Sequence, residues 1–163
     1  MLNFKWRHFK QDIILMLVRW YLAYSLSYRD VEELALERGL KVDHSTINRW
    51  VIEYAPKLEE IFRKRHKHPV GSSWRMDETY IKAKGQWVYL YRANVRQIKY
   101  LNNIVEQNHR FIKKITKPMK EFKAFHSANS TLAGMELHHM LRKGQHSQAG
   151  NQSIFEQFYG LAA

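Results

Sequence analysis

Apolar residues along this chain change their spacing twice, which limits it to a helical stretch, a strand stretch and a second helical stretch. Phe9, Ile13, Leu17, Trp20 and Tyr24 recur at the period of an amphipathic helix. Ser25-Leu26-Ser27 breaks that helix, and Ser27 with Asp30 three residues later can cap a second over about 28–38, much as a capping box does. Val31, Leu34 and Ala35 point inward on it, and Gly39 is the natural left-handed residue that stops it. Asp43, His44, Ser45 and Thr46 each offer an N-cap for a third helix over about 44–55. Its inward positions are Ile47, Trp50, Val51 and Tyr54, and Pro56 is expected to interrupt it.

The period then changes. Trp74, Met76, Tyr80, Trp87, Tyr89 and Tyr91 are β-prone residues in near alternation around Ala83-Lys84-Gly85, which predicts a hairpin over about 73–93. Ile98, Leu101, Val105, Ile112 and Ile115 return to helical spacing, with Pro118 as the stop. Leu132, Met135, Leu137 and Leu141 predict a last helix over about 128–142. Gly144–Gln152 reads as a loop and Ile154–Leu161 as a short apolar piece. The basic run ending in His66-Lys67-His68, with Pro69 and Gly71 beyond, marks a domain boundary, giving domains 1–68 and 69–163.

Charge narrows the partner. The 163 residues carry 27 Lys or Arg and 15 Asp or Glu, a formal net charge of +12, which points to a polyanion. Hydrophobic residues at 45% and aromatics at 13% exclude a disordered basic tail. The absence of cysteine excludes disulfides, thiolate zinc sites and cysteine nucleophiles. Ile13–Val18 is too short an apolar run to span a membrane, so neither a targeting segment nor a membrane is expected. His66 with His68, and His138 with His139, lack the spacing of a metal site.

Two helices at about 28–38 and 44–55 joined by a turn with Gly39 have the layout of a helix-turn-helix. In that motif the second helix presents its N-terminal side chains to the DNA major groove. Ser45, Thr46, Asn48 and Arg49 form the outward set, and Asn and Arg are suited to adenine and guanine edges. The competing reading is three packed helices with a solvated polar face.

Two carboxylates stand out. Asp77 lies in Trp74-Arg75-Met76-Asp77-Glu78-Thr79-Tyr80, inside the first expected strand, where Asp is depleted. Glu106 lies near the start of a helix with Arg110 and Lys113 on its face. Each has a plain structural reading: Asp77 as a surface residue near a turn, Glu106 as the partner of Asn103 in a capping box.

The combined text, helix-turn-helix, then Trp-Arg-Met-Asp-Glu-Thr-Tyr-Ile, Lys-Gly-Gln-Trp-Val-Tyr-Leu-Tyr-Arg-Ala and the run from Val95 through Glu106 to Lys114, closely resembles the bacterial insertion-sequence transposases of family six. The resemblance extends to Phe125-His126-Ser127-Ala128 and Leu141-Arg142-Lys143-Gly144-Gln145. It implies an α+β chain: an N-terminal three-helix helix-turn-helix domain followed by a truncated RNase H-like α/β domain. It implies a DDE triad holding two magnesium ions for nicking and strand transfer, since magnesium prefers hard oxygen ligands and two metals stabilise attacking and leaving oxygens. Its partners would be double-stranded DNA, as terminal inverted repeats and target, and further copies of the chain. Its place would be the bacterial cytoplasm, at the nucleoid.

Residue by residue, Asp77 matches the first Asp, Glu106 the Glu, and Lys113 the basic residue set against a DNA phosphate. The middle Asp has no match, because none of the 86 residues after Asp77 is an aspartate. Only 28 residues separate Asp77 from Glu106, half of them in the hairpin, whereas a parallel crossover needs a dozen or more residues. The resemblance thus implies an internal deletion near 93–96. Glu78 is a poor substitute, since adjacent strand residues point to opposite faces. Two functions follow: a transposase with defective cutting and joining, or a non-catalytic DNA-binding protein that represses full-length relatives.

Overall fold

The computed structural model describes residues 2–5, 7–65, 111, 113–116, 122, 124–144 and 152–162 with their side chains, together with 74–95, of which 74–81 and 88–95 are backbone. The elements are helices α1 (Gln11–Ala23), α2 (Tyr28–Glu37) and α3 (His44–Arg65), strands β1 (Trp74–Ala83) and β2 (Gln86–Val95), and helices α4 (Phe125–Arg142) and α5 (Ile154–Gly160). Among the described residues the fold is α+β, mostly helical with one two-stranded sheet. By packing the chain forms two compact units, one of residues 1–66 with 129–163 and the other of 67–128. Residues 129–163 pack with the first unit.

In the first unit, α1 is the central element and contacts α2, α3 and α5. Ile14, Leu15, Leu17, Val18, Tyr21 and Leu22 are all buried on it. Each fully buried aliphatic side chain contributes about 1.5–3 kcal/mol over leaving it in water. The inward face read from the sequence was out of phase: Leu17 is buried, Ile13 and Trp20 are half-buried, and Tyr24 is exposed. The buried Ile14, Leu17, Val18, Tyr21 and Leu22 fall at i, i+3, i+4, i+7 and i+8, one stripe rotated away from the expected one, and Trp20 lies at its rim, where the Arg38 guanidinium sits 5.0 Å over its ring.

The end of α2 follows from local chemistry. The Ser27 amide donates to Asp30 Oδ2 (2.6 Å) and the Asp30 amide to Ser27 Oγ (3.2 Å), a complete capping box. At the far end Gly39 has φ of +75°, with the Leu40 amide bonded to the Ala35 carbonyl (2.9 Å) and the Gly39 amide to the Leu36 carbonyl (2.8 Å). That pair of bonds is a Schellman motif, which satisfies carbonyls that a helix end leaves unpaired.

Pro56 does not interrupt α3, which runs unbroken to Arg65. A proline inside a helix costs about 3 kcal/mol. Here the apolar face continues past it: Tyr54, Ala55, Leu58 and Phe62 are all buried, and their packing outweighs the missing amide. Phe9 meets Trp50 edge-on at 5.5 Å, and Phe4 stacks on Tyr54 at 4.8 Å. The Arg7 guanidinium donates to Glu53 (2.6 Å), tying the N-terminal segment to α3.

α4 begins three residues before the sequence expectation, at Phe125, and buries Leu132, Met135, Leu137 and Leu141 as expected. The apolar piece from Ile154 is α5, closed by a second capping box between Ser153 and Glu156. The Tyr159 hydroxyl donates to the Asp12 carbonyl (3.2 Å), and the Arg65 guanidinium to that of Gly160 (2.8 Å).

In the second unit β1 and β2 pair antiparallel from Trp74↔Val95 to Ala83↔Gln86. Lys84 and Gly85 form the two-residue turn with φ of 51° and 77°, the two positive angles of a type I′ turn that matches strand twist. Phe122 joins β1 by a parallel bridge at Ala83. Phe111 and 113–116 are helical, with Ile115 buried, while the rest of the helix expected from Ile98 to Pro118 lies outside the described residues.

Candidate functional site

The first two turns of α3 present the outward set. Asp43 caps them: its Oδ1 accepts the Ser45 amide (2.8 Å) and the Ser45 hydroxyl, while its carbonyl accepts the Thr46 and Ile47 amides (2.9 and 3.1 Å). The Ser45 hydroxyl and amide hold the Asp43 carboxyl below its ordinary range, because they stabilise its ionised form. His44 Nδ1 lies 2.9 Å from Glu32 Oε2 on α2, so the start of α3 is tied to the neighbouring helix as well as capped.

On this fixed platform Ser45 and Arg49 are exposed, Thr46 and Asn48 are half-buried, and Ile47 and Trp50 are buried beneath them. The Arg49 guanidinium donates to Thr46 Oγ1 (3.0 Å), holding the arginine along the helix face. Asn48 Oδ1 is buried and, among the described residues, accepts no hydrogen bond. All four outward residues of the sequence reading thus fall on two adjacent turns. The arrangement offers hydroxyl, amide and guanidinium donors on one rigid helix end, which suits contact with phosphates and base edges.

Glu32, Asp43 and His44 bring ligand atoms within 4.8 Å of one another, close enough for a divalent cation. Their atoms are already engaged: His44 with Glu32, and Asp43 with Ser45. The cluster is accounted for as a hydrogen-bonded tie between α2 and α3.

The carboxylate candidates are elsewhere. Asp77 is in β1, opposite Arg92 in the register, and Glu78 opposite Tyr91. Glu106 lies outside the described residues. Lys113 is exposed on the helical segment 113–116. His138 and His139 are on α4; burial, then the cations Arg19 and Arg142, hold His138 down to about 4, and burial with Lys143 and Arg142 does the same for His139.

The sequence reading took Trp87 only as a strand former and Lys84 only as a turn residue, and did not single out Lys82. Trp87 is 67% exposed, which is unusual for so large an apolar side chain. An aromatic beside a two-residue turn rich in lysine was the available signal.

Comparison with known proteins identifies the chain. A family model described as a DDE domain, of IS240-type transposases, matches residues 71–97 and 93–145. The transposase for insertion sequence-like element IS431mec of Staphylococcus aureus is 54% identical over 90 residues, 55% of this chain and 40% of the relative. The transposase for insertion sequence element IS257 in transposon Tn4003, also from Staphylococcus aureus, is 53% identical over 90 residues with the same coverage. No solved structure matches. The chain is of the DDE transposase class. Within that class it belongs to the insertion-sequence transposases of family six, and it spans 40% of the length of the curated relatives it matches.

Proposed function

We propose that this chain binds duplex DNA at transposon terminal inverted repeats through α2 and α3 acting as a helix-turn-helix, and that it does not cut or join DNA. The observation that carries the binding half is the capped and braced start of α3, with Ser45 and Arg49 exposed over buried Ile47 and Trp50. Residues 1–68 are the DNA-reading domain in this reading, and 69–163 a shortened RNase H-like catalytic domain that in intact relatives handles repeat and target DNA with magnesium.

The second half rests on the donor set. Family chemistry calls for three carboxylates around two divalent ions, and this chain has Asp77 and Glu106 in matching positions with no aspartate after Asp77. The residues present do not fit a two-metal centre, and no metal-dependent step is derived from them. The family match supports a deletion as its cause, since it falls into two segments that meet at 93–97, at the end of β2. Lys113 is assigned to a DNA phosphate.

The test is a nicking assay on terminal-repeat DNA with magnesium or manganese, run beside a binding assay on the same duplex. Binding without cleavage is expected. Cleavage that disappears in Asp77→Ala overturns the catalytic half, and equal affinity for repeat and random duplex overturns the specific-binding half. The lack of an aspartate after Asp77 favours one further role, repression of full-length relatives by occupying their ends or by forming mixed oligomers with them.

A further inference from the structure

Lys82 and Trp87 are opposed in the second rung from the tip of the β1–β2 hairpin, one rung beyond the closing pair Ala83↔Gln86. Residues opposed in an antiparallel pair extend from the same face of the ladder. An indole and an ammonium therefore share one face at the tip, with a second ammonium, Lys84, in the turn. Lys82, Lys84, Gln86 and Trp87 are all exposed, and 82–87 contains no carboxylate.

The tip is braced from the other side. The Phe122 amide donates to the Lys82 carbonyl (2.9 Å), the Lys84 amide donates to the Phe122 carbonyl (3.1 Å), and Ala83 and Phe122 are buried. Trp87 thus faces water from β2, beside a β1 edge that Phe122 already pairs at 82–84. An apolar cover over this face would also have to desolvate the Lys82 ammonium, which is costly without a counter-charge. A polyanion that carries flat rings meets both needs at once. The surrounding unit agrees in sign, since residues 67–128 hold 13 Lys or Arg and 4 Asp or Glu.

We propose that the hairpin tip is a binding site for unpaired DNA, with a base stacked on the Trp87 indole and flanking phosphates neutralised by Lys82 and Lys84. Stacking on an aromatic beside cations is how single strands are held without base preference. The inference takes its class of partner from the DNA-binding reading above and adds a second site, on a different unit from α3 and for a different form of DNA.

The experiment uses the full chain and a fluorescein-labelled oligothymidylate of about 20 nucleotides, read by anisotropy. The parent is expected to bind it. Trp87→Ala weakens binding by about tenfold, while Trp87→Phe, which keeps a ring, stays within about threefold. The double variant Lys82→Ala, Lys84→Ala lowers the slope of log affinity against log salt by about 1.4, the value for two single-strand phosphates. On blunt terminal-repeat duplex the pattern reverses: Arg49→Ala loses affinity and Trp87→Ala does not, so failure of either site is seen separately. The proposal is overturned by a parent that does not bind the oligothymidylate or by Trp87→Ala binding it as the parent does. Loss of self-association in Trp87→Ala with single-strand affinity unchanged would instead make the tip a contact between copies. Lys82→Glu, an exposed change independent of the indole, is expected to reduce oligothymidylate binding as well, and unchanged binding there also rejects the site.

Discussion

Gly134 on α4 lies so close to Leu22 on α1 that a Cβ at that position would sit 2.6 Å from Leu22 Cδ1, and 2.8 Å from Ala55 Cβ on α3. Glycine in mid-helix ordinarily costs about 0.5–1 kcal/mol relative to alanine. Here it is the residue that lets α4 meet α1 and α3.

The expected result of Gly134→Ala is therefore destabilisation despite better helix propensity, because the Ala55 Cβ on its backbone cannot move aside as a side-chain tip can. Overpacking of this kind typically costs about 1–3 kcal/mol. Urea denaturation of the full chain checks it; an unchanged or higher midpoint would show that α4 shifts outward freely.

His138 is 4% exposed on α4, and its folded-state proton affinity is held down to about 4 by burial and by Arg19, Arg142 and His139. An unfolded histidine titrates near 6.5. The unfolded state therefore binds more protons between these values, so stability is full above about pH 6.5 and falls as pH drops toward 4. At about 1.4 kcal/mol per tenfold change in proton affinity, the loss is on the order of 3 kcal/mol. His138→Gln is expected to flatten this part of a stability-against-pH curve; a curve as steep as the parent's would assign the effect to other groups.

Removing the α2 cap with Ser27→Ala strips the acceptor of the Asp30 amide. A loss of about 1 kcal/mol is expected, and Ser27→Thr, which keeps the oxygen, should recover most of it. Equal losses in the two variants would mean that the hydroxyl contributes nothing beyond its packing.

Arg49→Ala is expected to weaken binding to a terminal-repeat duplex by about 1–3 kcal/mol and to relax one base preference. Comparison of cognate and random duplex at fixed salt decides its role. A uniform loss on both makes Arg49 a phosphate contact, and Thr46, its hydrogen-bonded neighbour, the next candidate for reading a base.

Much of the fold is local and was legible in the residues. Ser27 with Asp30 caps a helix, and Gly39 ends one through its positive φ. Lys84-Gly85 turns a hairpin, and the buried positions Ile47, Trp50, Val51 and Tyr54 were named correctly. Each depends on neighbours a few positions away, which a linear text displays. The outward placement of Ser45 and Arg49 follows from the same helical period. The pairing of Asp77 with Glu106 was suggested by family likeness and not by spacing.

The sequence by itself determined the helix caps, the hairpin turn, the family, the basic charge and the missing aspartate, because these are matters of residue type and short-range order. Tertiary structure alone decided the rest. α3 runs through Pro56 because Leu58 and Phe62 find a core to enter. α1 turns Ile14, Val18 and Tyr21 into the core in place of Ile13, Trp20 and Tyr24 because its neighbouring helices cover that face. Residues 129–163 return to the first unit because α4 fits its Gly134 against Leu22 and Ala55. Burial energy depends on which surfaces meet across long stretches of chain, and neither propensity nor period records that.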